Sequence, residues 1–174
     1  PAPDKLANHL AHLGRAVGSE AVVDSLARPG ANITGSTAFT AELSAKRLEM
    51  LKNAVPRLAH VAYLLNPESR AYNVELEEFK RSAALLKVDL VEAAVRSPRD
   101  FDDAFASMVR RRVDGVVAFG DSMLVANMQR LGEISAARRL PGAGSDEYVD
   151  GGGLLAYGVN FPELWRRAAY FVDR

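Results

Sequence analysis

His60-Val61-Ala62-Tyr63-Leu64-Leu65-Asn66-Pro67 decides the fold. From Val61 to Leu65 the run has no polar alternation, and it stops at an Asn-Pro break. A short apolar run of this kind reads as a strand covered on both faces, the pattern of a parallel sheet. Working outward, the chain alternates between helix-like and strand-like pieces. Upstream, a helix carries Leu43, Arg47, Leu48, Met50 and Leu51, with Thr40 or Ser44 as its cap and Pro56 near its end. Downstream, a long helix sets Leu76, Phe79, Ala83 and Leu86 on one face, with Glu75, Glu77, Glu78 and Lys80 mostly on the other. Val88 to Val95 reads as the second strand. Ser97-Pro98 with Asp100 then starts a helix that carries Phe101, Ala104, Phe105 and Met108. Arg110-Arg111-Arg112 closes it, where cations meet the negative helix end.

The rest of the chain continues the alternation. Gly115 to Phe119 is a third strand, followed by a helix from Met123 to Arg138 and a strand-like Leu140 to Gly144. Ser145 precedes a brief turn from Asp146 to Val149, which Gly151-Gly152-Gly153 terminates. Leu154 to Tyr157 is the last strand and Pro162 to Val172 the last helix. At the other end, Leu6, Leu10 and Leu13 have weak helical spacing, helix-like spacing resumes from Glu20 to Leu26, and Arg28-Pro29-Gly30 stops it. Ala31 to Gly35 is a short β-prone piece, and no internal repeat or low-complexity tract appears.

Strand–helix alternation with apolar strands predicts an α/β fold: a doubly wound parallel sheet with helices on both faces. Such sheets bind ligands beyond the carboxyl ends of their strands, where the strand order reverses. The loops to watch are therefore Asn66-Pro67-Glu68-Ser69, Gly120-Asp121-Ser122, Gly144-Ser145-Asp146-Glu147 and Gly158-Val159-Asn160.

Composition narrows the functions. The 174 residues hold 22 Lys plus Arg against 22 Asp plus Glu, so net charge offers no pull toward nucleic acid or an anionic membrane. The absence of cysteine excludes disulfide scaffolds, thiol nucleophiles and cysteine-ligated metal or iron–sulfur centres. No apolar run approaches the roughly 20 residues that span a bilayer, and the first residues lack the pattern of a signal peptide.

Asn66, Ser69, Asp121 and Ser122 can each grip a small polar ligand. Main-chain N–H groups at the helix starts after Pro67 and Ser122 favour an anion, and Asp121 or Glu147 suits a cationic amine; a zwitterion needs both. The competing reading makes Ser69, Ser122 and Ser145 helix caps and Asn66-Pro67 a turn. Catalysis finds little support. His9 and His12 lie in the weak leader, and His60 opens a strand at the end opposite the ligand face. No G-x-S-x-G elbow, metal-ligating cluster or phosphate loop is present, and the triple glycine precedes a strand where a phosphate loop precedes a helix. No cofactor and no metal are expected.

Val23-Asp24-Ser25-Leu26-Ala27-Arg28-Pro29-Gly30-Ala31-Asn32-Ile33-Thr34-Gly35 resembles the "SLARPGGNITG" segment of ABC transporter substrate-binding proteins of the tryptophan/tyrosine-binding lipoprotein type. Leu43 to Lys52 is similar to the family's "LSGKRLELLK", and Val61 to Pro67 to its "VAVLWNP". Tyr157-Gly158-Val159-Asn160, followed by Arg166-Arg167-Ala168-Ala169-Tyr170, resembles "YGPN…RRAAxYVDK", with Val159 in place of proline. The similarity runs from about Gly18 to the end, whereas Pro1 to Val17 does not resemble the family's usual strand at that place.

The resemblance implies one Rossmann-like lobe of a type I periplasmic-binding protein, mainly the second of its two lobes. It divides the chain into a leader and crossover segment at 1–35, a ligand-binding lobe at 36–158 and a C-terminal crossover helix at 159–174. It places ligand contacts at Asn66, Glu68, Ser69, Asn73, Asp121, Ser122, Ser145, Glu147, Tyr157 and Asn160. The implied function is the solute-binding component of an ABC importer, taking an amino acid or a related small polar molecule without catalysis. Its partners would be that ligand and an ABC permease, with no nucleic acid, and its compartment periplasmic or extracytoplasmic. By the same resemblance a first lobe, an export signal and a C-terminal return lie outside this chain. A single lobe would bind far more weakly than two, and its exposed inter-lobe face favours self-association. The alternatives are a ligand-sensing domain of a regulator and an enzyme of flavodoxin-like fold.

Overall fold

The computed structural model describes residues 40–160, together with 163, 164, 166 and 169. The expectations for residues 1–39, and most of that for the final helix, fall outside these residues. The chain divides into two compact units, one of Thr40–Gly158 and one of Pro1–Phe39 with Val159–Arg174. In the second unit, the Asn160 side chain accepts from the Glu163 N–H at 3.0 Å and its carbonyl from the Leu164 N–H at 2.9 Å. That hydrogen-bonding makes Asn160 the cap of a helical turn in which Glu163 pairs with Arg166.

The first unit runs through α1 (Thr40–Ala54), β1 (His60–Leu65), α2 (Tyr72–Leu85) and β2 (Asp89–Ala94). A 3-10 turn (Pro98–Asp100) leads into α3 (Phe101–Arg110), then β3 (Gly115–Ala118), α4 (Ser122–Val125) and α5 (Met128–Ala137). It closes with β4 (Gly142–Gly144), α6 (Asp146–Asp150) and β5 (Leu155–Ala156). The five strands pair in parallel in the order β2-β1-β3-β4-β5. β1 and β2 align residue for residue, His60 opposite Asp89 and Leu65 opposite Ala94. From β2 the chain crosses back over β1 to β3, so its direction reverses between β1 and β3. In sheets of this order that is where a ligand crevice forms, at the carboxyl ends. α1 packs on α2, while α3 packs on α5 and α5 on α6; right-handed crossovers put these two groups on opposite faces.

β1 is the centre of the core. Val61 to Leu65 are all 0–1% exposed, and Tyr63 stacks on Phe79 with ring centroids 3.9 Å apart. Each such large side chain contributes roughly 1.5–3 kcal/mol by leaving water. The expected Ser97 start of α3 is held by a reciprocal Ser97–Asp100 capping box.

Three expectations are corrected. Ser44 is not a cap: α1 starts at Thr40, and Ser44 is buried inside it with its hydroxyl 3.2 Å from Tyr63 Oη. Glu75, expected mostly on the solvent face, is 1% exposed. It lies four residues before Phe79, on the same helical stripe, and its Oε2 is 3.4 Å from Tyr63 Oη. The helix expected from Met123 to Arg138 is two helices, α4 and α5. Asn127 divides them by donating its side-chain amide to the Met123 carbonyl at 2.8 Å, a local bond that competes with helix continuation.

Two local devices shape the rest. Tyr148 is buried in a cradle of glycines: a Cβ on Gly142 would lie 2.1 Å from its Oη, and one on Gly153 2.1 Å from its ring. Burial pushes the Tyr148 phenol up to about 12 even though Ser135, 2.6 Å away, opposes the shift. Gly152, at φ 95, turns the chain between α6 and β5.

The second device recurs at three helix–strand joints. Lys87, Arg112 and Arg139 follow the ends of α2, α3 and α5 with φ of 54, 54 and 53. The next residue in each case, Val88, Val113 or Leu140, is buried and returns its N–H to Ala83, Met108 or Ser135 at 2.9–3.0 Å. This is the Schellman closure, in which glycine ordinarily takes the left-handed place.

Candidate functional site

The strand-end loops meet at the crevice between β1 and β3. Asn66 follows β1 and Asp121 follows β3, and the Asn66 amide Nδ2 lies 3.4 Å from Asp121 Oδ1. Each is fixed by its own loop. Asn66 Oδ1 accepts from the Glu68 N–H at 3.0 Å, which makes the Asn-Pro break an Asx turn. Asp121 Oδ1 accepts from the Met123 and Leu124 N–H groups at 2.9 and 3.4 Å.

Asp121, rather than Ser122, is therefore the cap of α4, and Ser122 is exposed at its first position. The anion site expected after Ser122 is overturned by the same bonds: those amides already hold the Asp121 carboxylate. Ser69 also serves its own loop, its hydroxyl accepting from the Ala71 N–H at 3.4 Å. Glu68 is exposed at the rim, 3.8 Å from Arg96, and Asn73 is exposed in the first turn of α2.

A second group gathers after β4 and β5. The Tyr157 N–H donates to the Gly144 carbonyl at 3.0 Å, which brings Tyr157 beside Ser145. Ser145 follows the fold's pattern as the residue before α6, but its hydroxyl donates to Glu147 instead of accepting from the helix amides. That hydrogen bond, with one from the Glu147 backbone, holds the Glu147 carboxyl below its ordinary value. Asn160 belongs to the other unit.

Arg47 is the residue that sequence reasoning missed. It is 5% exposed and reaches the carboxyl ends of two strands at once. Its Nη1 donates to the Ala118 carbonyl at 2.9 Å and its Nε to the Tyr157 carbonyl at 2.7 Å. Burial lowers its pKa, opposed by the nearby Tyr63 and Glu75. Burial likewise raises the Tyr63 phenol, with the Glu75 charge adding to it. The signal was available: Arg47 shares a helical stripe with Ser44, Leu48 and Leu51, the face that packs inward.

His60, at the opposite end of β1, has its Nδ1 3.3 Å from Asp114 Oδ2. Among the described residues, no cluster of three His, Asp or Glu side chains suits a metal ion. A cavity of about 230 Å³ lies elsewhere, between β2 and α3, lined in part by Val91, Ala104 and Met108.

A family model described as ABC transporter substrate binding protein matches residues 14–174. No curated protein matches the chain. Among solved structures, a conserved domain protein from Vibrio cholerae is similar at TM-score 0.77 and 21% identity, over 91% of this chain and 53% of that one. An ABC domain from Streptococcus pneumoniae in complex with L-Trp gives TM-score 0.65 and 20% identity, over 79% of this chain and 47% of that one. The ligand-free, open structure of a substrate-binding protein with adhesive properties from Clostridium difficile gives 0.65 and 21%, over 87% and 52%. These likenesses show the fold, and this chain spans about half the length of each.

Proposed function

The chain belongs to the ABC transporter substrate-binding protein family, and on that premise we propose that it acts as the second lobe of a solute-binding component of an importer, without catalysis. Residues 36–158 are the ligand-binding lobe in this reading, with 1–35 and 159–174 as crossover segments. The ligand is an amino acid or a similar small zwitterion, delivered to an ABC permease on the extracytoplasmic side. Self-association through the face that would meet a first lobe belongs to the same reading, and light scattering checks it. Among the described residues, no helix is long and apolar enough to cross a membrane.

One observation carries the proposal: the Asn66–Asp121 bridge across the point where strand order reverses. Asp121 presents a carboxylate whose orientation three donors fix, a suitable partner for an ammonium group. The opposite charge of a zwitterion would meet the start of α2, where the Asn73 and Val74 amides precede the first helical bond, Glu75 N–H to Ala71. The L-Trp in the pneumococcal structure supports the amino-acid class.

Closure of a second lobe supplies the remaining contacts in a two-lobed protein. Micromolar affinity is about 8 kcal/mol, so half of those contacts leave about millimolar binding. NMR titration of the 174-residue chain with amino acids, sugars and purines tests this. The expected result is millimolar shifts confined to the loops at Asn66–Asn73 and Asp121 with amino acids. Asp121→Asn, which keeps a good helix cap but removes the charge, should abolish them. Equal binding by Asp121→Asn, or a response to sugars alone, would overturn the assignment.

A further inference from the structure

The edge of the sheet opposite the crevice carries its own surface. A basic residue precedes the start of four neighbouring strands by two or three positions: Lys87 before β2, Arg57 before β1, Arg112 before β3 and Arg139 before β4. At about 4.8 Å between strands, the row extends about 15 Å. Arg110 and Arg111, at the end of α3, adjoin it. All of these are exposed, and none makes an ion pair among the described residues. The neighbouring acids, Asp89 and Asp114, both face His60.

Local structure does not require this charge. Lys87, Arg112 and Arg139 occupy left-handed joints that glycine would fill without steric cost. Net charge zero conceals the row because acidic residues collect in the first turns at the other end: Glu42, Glu75, Asp102, Asp103, Asp146 and Glu147.

The apolar residues point to one partner. Leu85, two positions before Lys87, is 83% exposed, and Val109, next to Arg110, is 50% exposed. Leu154, just before β5, is 49% exposed as well. A protein interface needs a contiguous apolar centre, which single side chains set on α2, on α3 and before β5 do not make. A bilayer surface takes scattered apolar side chains among cations. Among the described residues, no aromatic side chain along this edge offers a base a stacking surface. We propose that this amino-end edge, with Lys87, Arg57, Arg112 and Arg139 in a row beside Leu85 and Val109, docks on anionic phospholipid headgroups. This surface stands on the first unit's charge geometry and is independent of the ligand proposed above, so either can fail alone.

The test is co-sedimentation of the 174-residue chain with phosphatidylcholine vesicles, with and without about 30% phosphatidylglycerol. The chain should bind only the anionic vesicles and release in about 0.3 M salt. Each cation near such a surface contributes about fivefold to partitioning, so Lys87→Gly/Arg112→Gly/Arg139→Gly should bind about a hundredfold more weakly. Its melting temperature should not fall, because glycine suits all three joints. Should that variant unfold, Arg57→Ala/Arg110→Ala/Arg111→Ala removes as many exposed charges outside the joints and should weaken binding as much. Absent binding, equal binding to neutral vesicles, retention on heparin without vesicle binding, or variants within about twofold of the parent would each overturn the proposal.

Discussion

Replacing Arg47 with methionine removes one guanidinium that fastens α1 to the ends of β3 and β5. Its two bonds, to Ala118 O at 2.9 Å and Tyr157 O at 2.7 Å, are charge-assisted and buried. Each such bond is worth about 1.5–3 kcal/mol, and methionine recovers about 1 kcal/mol through its apolar stem. The expected loss is therefore about 2–5 kcal/mol, reaching the cost of breaking a buried charged network from one side. For a unit of this size that is a fall of roughly 10–20 °C in melting temperature. Urea unfolding followed by circular dichroism should show a lower midpoint at unchanged slope. Arg47→Lys keeps the charge but gives up the planar fork, so one ammonium cannot serve both carbonyls in the same geometry. It should fall between the parent and Arg47→Met. A methionine variant within about 1 kcal/mol of the parent would refute the reasoning, and so would a lysine variant as stable as the parent.

Gly153→Ala forces a Cβ to 2.1 Å from the Tyr148 ring and 2.7 Å from the Tyr148 carbonyl. Overpacking of that kind costs about 1–3 kcal/mol, and a thermal melt measures it. A spectrophotometric phenol titration should find Tyr148 ionising only near pH 12 and Tyr63 later still, with Tyr148→Phe removing the former step. Asp114 feels the cost of burial, yet the His60 and Ala59 N–H groups outweigh it and hold its carboxyl below the usual range. A depressed folded value means that its stabilisation is full above the unfolded value, near pH 4, and is lost as pH falls through the folded value. The urea midpoint should drop over that acidic window in the parent, and less in Asp114→Asn.

Much of this architecture was legible because apolar periodicity reports burial directly. The strand His60–Leu65 could be read to its last residue, and Ser97 as the cap that precedes Pro98. The misreadings share one cause. A rule that sends charge to the surface cannot see Arg47 and Glu75, which stay inside because carbonyls and hydroxyls across the sheet receive them. Nor can local pattern choose between adjacent candidates such as Asp121 and Ser122, where backbone dihedrals decide the cap: Asp121 is extended and Ser122 already helical. The left-handed joints were hidden for a similar reason. A basic triplet such as Arg110-Arg111-Arg112 looks like a solvated helix end, and only the φ of 54 at Arg112 separates closure from continuation.

The strand that opens the reading also sets a hazard during synthesis. β1 needs β2 on one side and β3 on the other, and β3 ends at Ala118, 118 − 65 = 53 residues after Leu65. At about 5–20 residues per second, that side of Val61-Ala62-Tyr63-Leu64-Leu65 waits roughly 3–10 s for its neighbour. An uncharged, β-prone pentapeptide held open that long is a template for pairing with another nascent chain. The Asn66-Pro67 break immediately beyond it ends the template, and a ribosome that pauses before residue 118 lengthens the exposure.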